Sequence, residues 1–235
     1  MKIENSRIII TGGSLGIGKA TAKLLIDQGA KVVITGRDEK RLRTTVKEIG
    51  AFPVVANVSD VSDIKRTYEE AMGYLGGLDC LINNAGIGHF PLLSDITVED
   101  FQEVYMTNVF GAALMAQVAA EIFKSQKYGN IINIGSTAAK KGFERGTIYA
   151  SSKFALRGMT ECWQVELRKF NVRVMLINPS EVTTAFNSQD RVERGEEIKK
   201  LRSQEIAHSI VSALQMDNRG FIPELTVWAT NPWED

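Results

Sequence analysis

Short runs of β-branched and aliphatic residues alternate along this chain with segments of helical periodicity, and that alternation leaves few folds open. The runs are Arg7-Ile8-Ile9-Ile10, Lys31-Val32-Val33-Ile34-Thr35, Phe52-Pro53-Val54-Val55-Ala56, Leu78-Asp79-Cys80-Leu81-Ile82, Asn130-Ile131-Ile132-Asn133-Ile134 and Val172-Arg173-Val174-Met175-Leu176-Ile177. Most are apolar at consecutive positions, the mark of a strand covered on both faces. Between them the periodicity predicts helices over roughly 16–29, 38–49, 60–75, 98–126 and 148–170, with another near 203–216. Strands separated by helices specify an α/β fold, a parallel sheet with helices on both faces.

The helix expected over 148–170 carries Tyr149 and Lys153, four residues apart and so on one face. Leu156, Thr160, Trp163 and Leu167 continue the same stripe, which is the buried one. Lys153 therefore points into the protein, where an ammonium stabilises a nearby phenolate. At roughly 4 Å and an effective dielectric near 20, that is worth about 4 kcal/mol, or about three units off a tyrosine pKa near 10. A bare Tyr-x-x-x-Lys is also what a helix start with a snorkelling lysine looks like, so other segments must decide. The long helix over 98–126 opens on a capping box, Thr97-Val98-Glu99-Asp100. Its expected inner stripe of Phe101, Tyr105, Asn108, Ala112, Met115, Ala119 and Ile122 puts one amide among apolar groups. A buried asparagine must find partners or cost about 1–3 kcal/mol.

Charge and cysteine content exclude several classes of function. Twenty-eight basic residues balance twenty-eight acidic ones in 235, leaving no net field for nucleic acid or an anionic membrane. Cys80 and Cys162 lie in apolar periodic segments and read as buried free thiols, with no disulfide framework or metal site. No signal peptide and no apolar run of membrane-spanning length are read in the sequence, so a cytoplasmic chain of one domain is expected.

After the first strand comes Thr11-Gly12-Gly13-Ser14-Leu15-Gly16-Ile17-Gly18, opening the first helix. Glycines there permit a tight turn and close approach of a pyrophosphate to the helix N-terminus. The strand before and the helix after supply the context that makes this a nucleotide site.

With Thr11, Gly12, Gly16 and Gly18 so spaced, the chain resembles the short-chain dehydrogenase/reductase family. The resemblance continues through Asn83-Asn84-Ala85-Gly86, Asn108, Ser136 and the Tyr149/Lys153 pair, in the family's order and over essentially the whole length. It implies a Rossmann-type doubly wound sheet of about seven strands in the order 3-2-1-4-5-6-7. It also implies an NADP(H)-dependent oxidoreductase that interconverts a carbonyl and a secondary alcohol, with Tyr149 as acid/base. In that reading Ser136 and Tyr149 hold the substrate oxygen, Lys153 tunes the tyrosine and binds the nicotinamide ribose, and Asn108 holds a water that resupplies the proton. The expected cofactor contacts are Gly12, Ser14, Leu15, Gly16, Ile17, Gly18, Arg37, Asn57, Val58, Asn84, Ala85, Gly86, Tyr149, Lys153, Pro179, Val182 and Thr184.

Departures from the family pattern shape the remaining expectations. Gly36 stands where an NAD-selecting aspartate usually stands, and Arg37 follows, which favours NADP over NAD without excluding the latter. Asp38 reads as a helix N-cap and His89 as a surface-loop residue. Ser180 replaces the family glycine in Asn178-Pro179-Ser180-Glu181-Val182-Thr183-Thr184 and threatens to narrow the nicotinamide pocket. A mobile loop or short lid helix is expected over 185–203, where Gln189 to Lys200 carry both charge signs. Second apolar faces at Met106, Phe110 and Ala113 and at Ala155, Met159 and Cys162 predict a homodimer or homotetramer through the 98–126 and 148–170 helices. The substrate stays open: nothing distinguishes a sugar, a steroid, a pteridine or an acyl thioester, and a 3-oxoacyl thioester or small ketone is suggested only by similarity of the short C-terminus to some family members. A cofactor-binding regulator without turnover is the alternative from another class.

Overall fold

The computed structural model describes residues 1–186 and 191–232. Its strands are β1 (Arg7–Ile10), β2 (Lys31–Gly36), β3 (Phe52–Val55), β4 (Cys80–Asn83), β5 (Gly129–Ile134), β6 (Val172–Pro179) and β7 (Glu224–Val227). They form one seven-stranded sheet in the order β3-β2-β1-β4-β5-β6-β7, every pairing parallel. This is the expected Rossmann-type order, with the reversal of winding between β1 and β4. β7 is the strand that patterning did not locate: its four residues are only half-buried, so it lacks the apolar run that marks the central strands.

The helices are α1 (Gly16–Asp27), α2 (Glu39–Ile49), α3 (Val61–Leu75), α4 (Val98–Tyr105), α5 (Ala112–Gln126), α6 (Thr147–Leu167) and α7 (Ser203–Gln215). Ile8 and Ile10 face one core with α1, α2 and α7, through Ala22, Leu25, Leu42, Ile206 and Ile210. Ile9 faces the other with α3, α5 and the end of α6, through Ile64, Ala71, Met115, Phe123 and Leu167. Strand residues thus alternate between two cores while remaining apolar throughout, which is why β1 reads as a continuous aliphatic run.

Three sequence expectations need correction. The segment 98–126 is not one α-helix: α4 and α5 are joined by a π-helical turn, Met106–Gly111, with Asn108 inside it. A π turn takes an extra residue, so the inner face before it is offset from the expected stripe, while Asn108, Ala112, Met115 and Ala119 are buried as expected. Val104 and Phe123 are fully buried where Tyr105 and Ile122 were expected, and those two are only partly covered. By length and composition Val98–Gln126 is also apolar enough to cross a membrane, contrary to the reading that no run approaches that length. In the fold it lies against the sheet, with Met115, Ala119 and Phe123 in the second core and Glu103, Gln117 and Glu121 outward. Finally, Cys80 is buried but Cys162 is exposed, because it sits on the side of α6 turned away from the sheet.

The expected loop over 185–203 falls in part on 187–190, outside the described residues. Of the remainder, 191–202 contain no helix; Leu201 bridges Val182 in parallel before α7 begins.

Candidate active site

At the carboxyl ends of the strands lies a cleft of about 1170 Å³. The turn between β1 and α1 forms its floor. Gly12 has φ +65, and a side chain there would meet the Ala85 Cα at 2.9 Å. Thr11 ties this turn to the segment after β4: its hydroxyl accepts from the Asn84 and Ala85 amides at 3.0 Å each. Asn84 Nδ2 donates back to the carbonyls of Thr11 and Gly12, both at 2.9 Å. Two loops on adjacent strands are thereby locked together at the switch point.

The first turn of α1 has no side-chain cap from its own N-terminal residue, which leaves free N–H donors with the positive end of the helix dipole behind them. One of them already binds an anion: the Gly16 amide donates to the Glu193 carboxylate at 2.7 Å. Close backbone, free amides and an acidic group resting on them fit a dinucleotide pyrophosphate.

Tyr149 and Lys153 rise from the first turns of α6 into the same cleft, opposite Ser136 at the end of β5. Burial pushes the Tyr149 phenol up to about 12, and a hydrogen bond with the Ser136 hydroxyl pulls weakly the other way. This reverses the expected lowering. Lys153 Nζ stands 5.7 Å from the phenol ring centre and donates instead to the Ile134 carbonyl at 2.9 Å, so its charge does not offset the loss of water. Lys153 is 4% exposed, and burial draws its ammonium down to about 8.

Asn108, 1% exposed, does not line the cleft but stands behind it. Its Oδ1 accepts from the Ile87 amide at 2.9 Å, while Nδ2 donates to the Ile87 carbonyl at 2.9 Å and to Ser152 Oγ at 3.0 Å. The buried amide is fully occupied in holding the wall beside Gly86. The π turn is what aims it there, with backbone freed from the regular helical ladder.

Over residues 6–195 the sequence matches the short chain dehydrogenase family. The chain belongs to that family. It is 31% identical over 237 residues to a sepiapterin reductase of Chlorobaculum tepidum, covering 95% of this chain and 96% of that one. It is 37% identical over 194 residues to an uncharacterized oxidoreductase of Bacillus subtilis, covering 79% of this chain but only 54% of that longer protein. Among solved structures, a metagenomic short-chain oxidoreductase in complex with NADP superposes with a TM-score of 0.84 at 28% identity, over 98% of this chain and 99% of that one.

In this short-chain dehydrogenase the expected contacts Gly12, Ser14, Leu15, Gly16, Ile17, Arg37, Asn57, Val58, Asn84, Ala85, Gly86, Pro179, Val182 and Thr184 all line the cleft. Gly18 lies behind it, where an added Cβ would stand 2.5 Å from both Asn84 Nδ2 and the Gly12 carbonyl; its part is to let α1 pack on the turn. Ser180 also lines the cleft, with its hydroxyl accepting from the Ala229 amide at 3.3 Å and its amide donating to the Val227 carbonyl at 2.8 Å. The replacement for the family glycine is therefore bonded to the segment that continues β7. Asp38 caps α2 through the Arg41 amide at 2.9 Å, as its sequence position suggested. His89 pairs with Asp100 at 3.1 Å on the surface.

Several contributors escaped the sequence reading. Arg41 and Arg191 join Arg37 at the rim near β2. Burial lowers the Arg191 pKa, and the nearby Arg37 and Arg41 charges lower it further. Arg41 was legible as a basic residue in the first turn of α2, close behind Arg37 in sequence; Arg191 was not. Asn178, an apparent strand residue, accepts from the Ser136 amide at 3.2 Å and donates to Glu224 at 2.6 Å, so β7 helps hold the serine. Among the described residues no cluster of His, Cys, Asp or Glu could hold a metal ion.

Proposed function

We propose that this oxidoreductase interconverts a carbonyl compound and a secondary alcohol, using NADP(H) in preference to NAD(H). The observation that carries the reading is the convergence of Ser136, Tyr149 and Lys153 on one cleft that begins at the glycine turn. When bound, the nicotinamide supplies or takes up the hydride. Ser136 and Tyr149 present two hydroxyls to the substrate oxygen, and Tyr149 donates its proton as that oxygen gains charge. Lys153 supplies positive charge beneath the phenol. Asn108 keeps the facing wall in place by its bonds to Ile87.

The arginines carry the cofactor preference. A 2′-phosphate brings two negative charges to the rim where Arg37, Arg41 and Arg191 gather, and guanidinium groups bind phosphate oxygens as paired donors. Paired titrations with NADPH and NADH test this directly. Wild type binds NADPH more tightly, and Arg37→Ala loses about 10–100-fold of NADPH affinity while NADH changes less than about threefold. Equal loss of both cofactors would remove the assignment. Cofactor binding without Tyr149-dependent turnover across ketones, 3-oxoacyl thioesters and alcohols would return the regulator.

The pH profile follows from the two shifts. Tyr149 stays protonated until about 12, whereas Lys153 loses its charge above about 8. Reduction, which uses the protonated phenol beside the ammonium, is therefore expected to hold below about pH 8. Above it, kcat/KM for NADPH falls. A flat profile from pH 7 to 10 would contradict it.

We further infer a homodimer or homotetramer in the cytoplasm, paired through the outer faces of α4, α5 and α6. Phe110 is 51% and Phe154 44% exposed there, a combination that costs solvation unless covered. Light scattering on the eluting protein gives at least twice the chain mass; a monomer at micromolar concentration would exclude it.

A further inference from the structure

The cleft has a polar end at the glycine turn and an aromatic end around Tyr149. Three phenylalanines from three separate segments gather around Tyr149. Phe90 follows β4, and its ring lies 5.4 Å from that of Tyr149 at 57°. Phe186 follows β6, at 5.6 Å and 62°. Phe143, ahead of α6, extends the cluster from Phe90 at 6.1 Å and 44°. All of them line the cleft together with Tyr149.

The backbone carrying Phe90 and Phe186 is tied down. Arg145 Nε donates to the Phe90 carbonyl at 2.8 Å, and the Thr184 hydroxyl accepts from the Phe186 amide at 3.3 Å. Gly88 makes room for both rings: a Cβ there would come within 2.7 Å of the Phe90 ring and 3.0 Å of the Phe186 ring. The charged groups nearby are engaged or opposed. Lys140 pairs with Glu224 at 2.9 Å, while Lys141 and Glu144 stand exposed with opposite signs. Arg145 spends its Nε on the Phe90 carbonyl, so among the described residues the charged groups stand at the mouth of this end while its inner lining beside Tyr149 is aromatic. Tilted rings beside a proton donor fit a flat aromatic group attached to the reacting carbon, because aromatic pairs in offset or edge-on contact gain stabilisation beyond the area they bury.

We propose that the substrate is an aryl carbonyl compound, its ring clamped by Phe90 and Phe186 with its carbonyl at Tyr149. This rests on the carbonyl reading above and names the class of substrate. Phe90 and Phe186 are then specificity-determining residues: they bind the part of the substrate that does not react.

Three ketones separate flatness from bulk: acetophenone, its saturated counterpart cyclohexyl methyl ketone, and 2-butanone. With NADPH, acetophenone is expected to show the highest kcat/KM, by about 10–100-fold over 2-butanone and by at least about threefold over the cyclohexyl ketone. Phe186→Leu lowers the acetophenone value about tenfold through KM, a larger loss than the same variant shows with 2-butanone. Calorimetric binding to Tyr149→Phe with NADPH present reads the clamp without chemistry. Acetophenone binds more tightly than cyclohexyl methyl ketone, and Phe186→Leu abolishes the difference. If that ring-selective binding is found and no ketone is turned over, the clamp stands and the carbonyl reading falls. If the two ketones bind equally, or Phe186→Leu changes neither, the clamp is overturned whatever the turnover.

Discussion

A Tyr149→Phe variant binds NADPH within about threefold of wild type and turns over a carbonyl substrate about 10²–10⁴-fold more slowly. The ring keeps its contacts with Phe90 at 5.4 Å and Phe186 at 5.6 Å, so packing survives and only the hydroxyl and its bond to Ser136 are lost. Stopped-flow turnover beside a fluorescence titration separates the two effects. Full activity in the variant would mean that the proton comes from another group, and loss of cofactor binding would mean that the phenol holds the nicotinamide half rather than the substrate.

Gly18→Ala acts on the other half of the site. The new methyl would stand 2.5 Å from Asn84 Nδ2 and equally close to the Gly12 carbonyl, the atoms through which the two loops hold each other. One of them must move. Overpacking of this kind costs about 1–3 kcal/mol, enough to weaken dinucleotide binding roughly 5–150-fold and to lower the melting temperature by about 2–12 °C. Calorimetric titration with NADPH and a thermal melt report both. Wild-type affinity in the variant would show that the turn adapts without loss.

The central strands and most helices were legible because burial on both faces writes itself as consecutive aliphatic residues, and one-sided burial as a stripe; the sheet order came only with the resemblance to the family. β7 was not located, since Glu224-Leu225-Thr226-Val227 lies at a half-covered edge. The residues of the cleft could be named from local motifs such as the glycine turn and Asn83-Asn84-Ala85-Gly86. Their electrostatics could not. The expected fall in the Tyr149 pKa assumed a phenol close to a free ammonium, and the structure gives Lys153 a carbonyl partner and both groups a dry environment. Pattern also cannot foresee long-range meetings: Phe90, Phe143 and Phe186 are each unremarkable in sequence and become a cluster only when the loops after β4, β5 and β6 converge.

The π turn at Met106–Gly111 makes chain length itself a determinant of the site. Removing one residue from it would let α4 and α5 wind into a continuous α-helix, rotating whatever precedes the deletion by about 100° relative to whatever follows. Asn108 would then leave the backbone of Ile87, although every residue named in the cleft would still be present. An inventory of conserved-looking side chains would pass such a protein as intact. Spacing along this helix, as much as residue identity, therefore separates a competent relative from a look-alike.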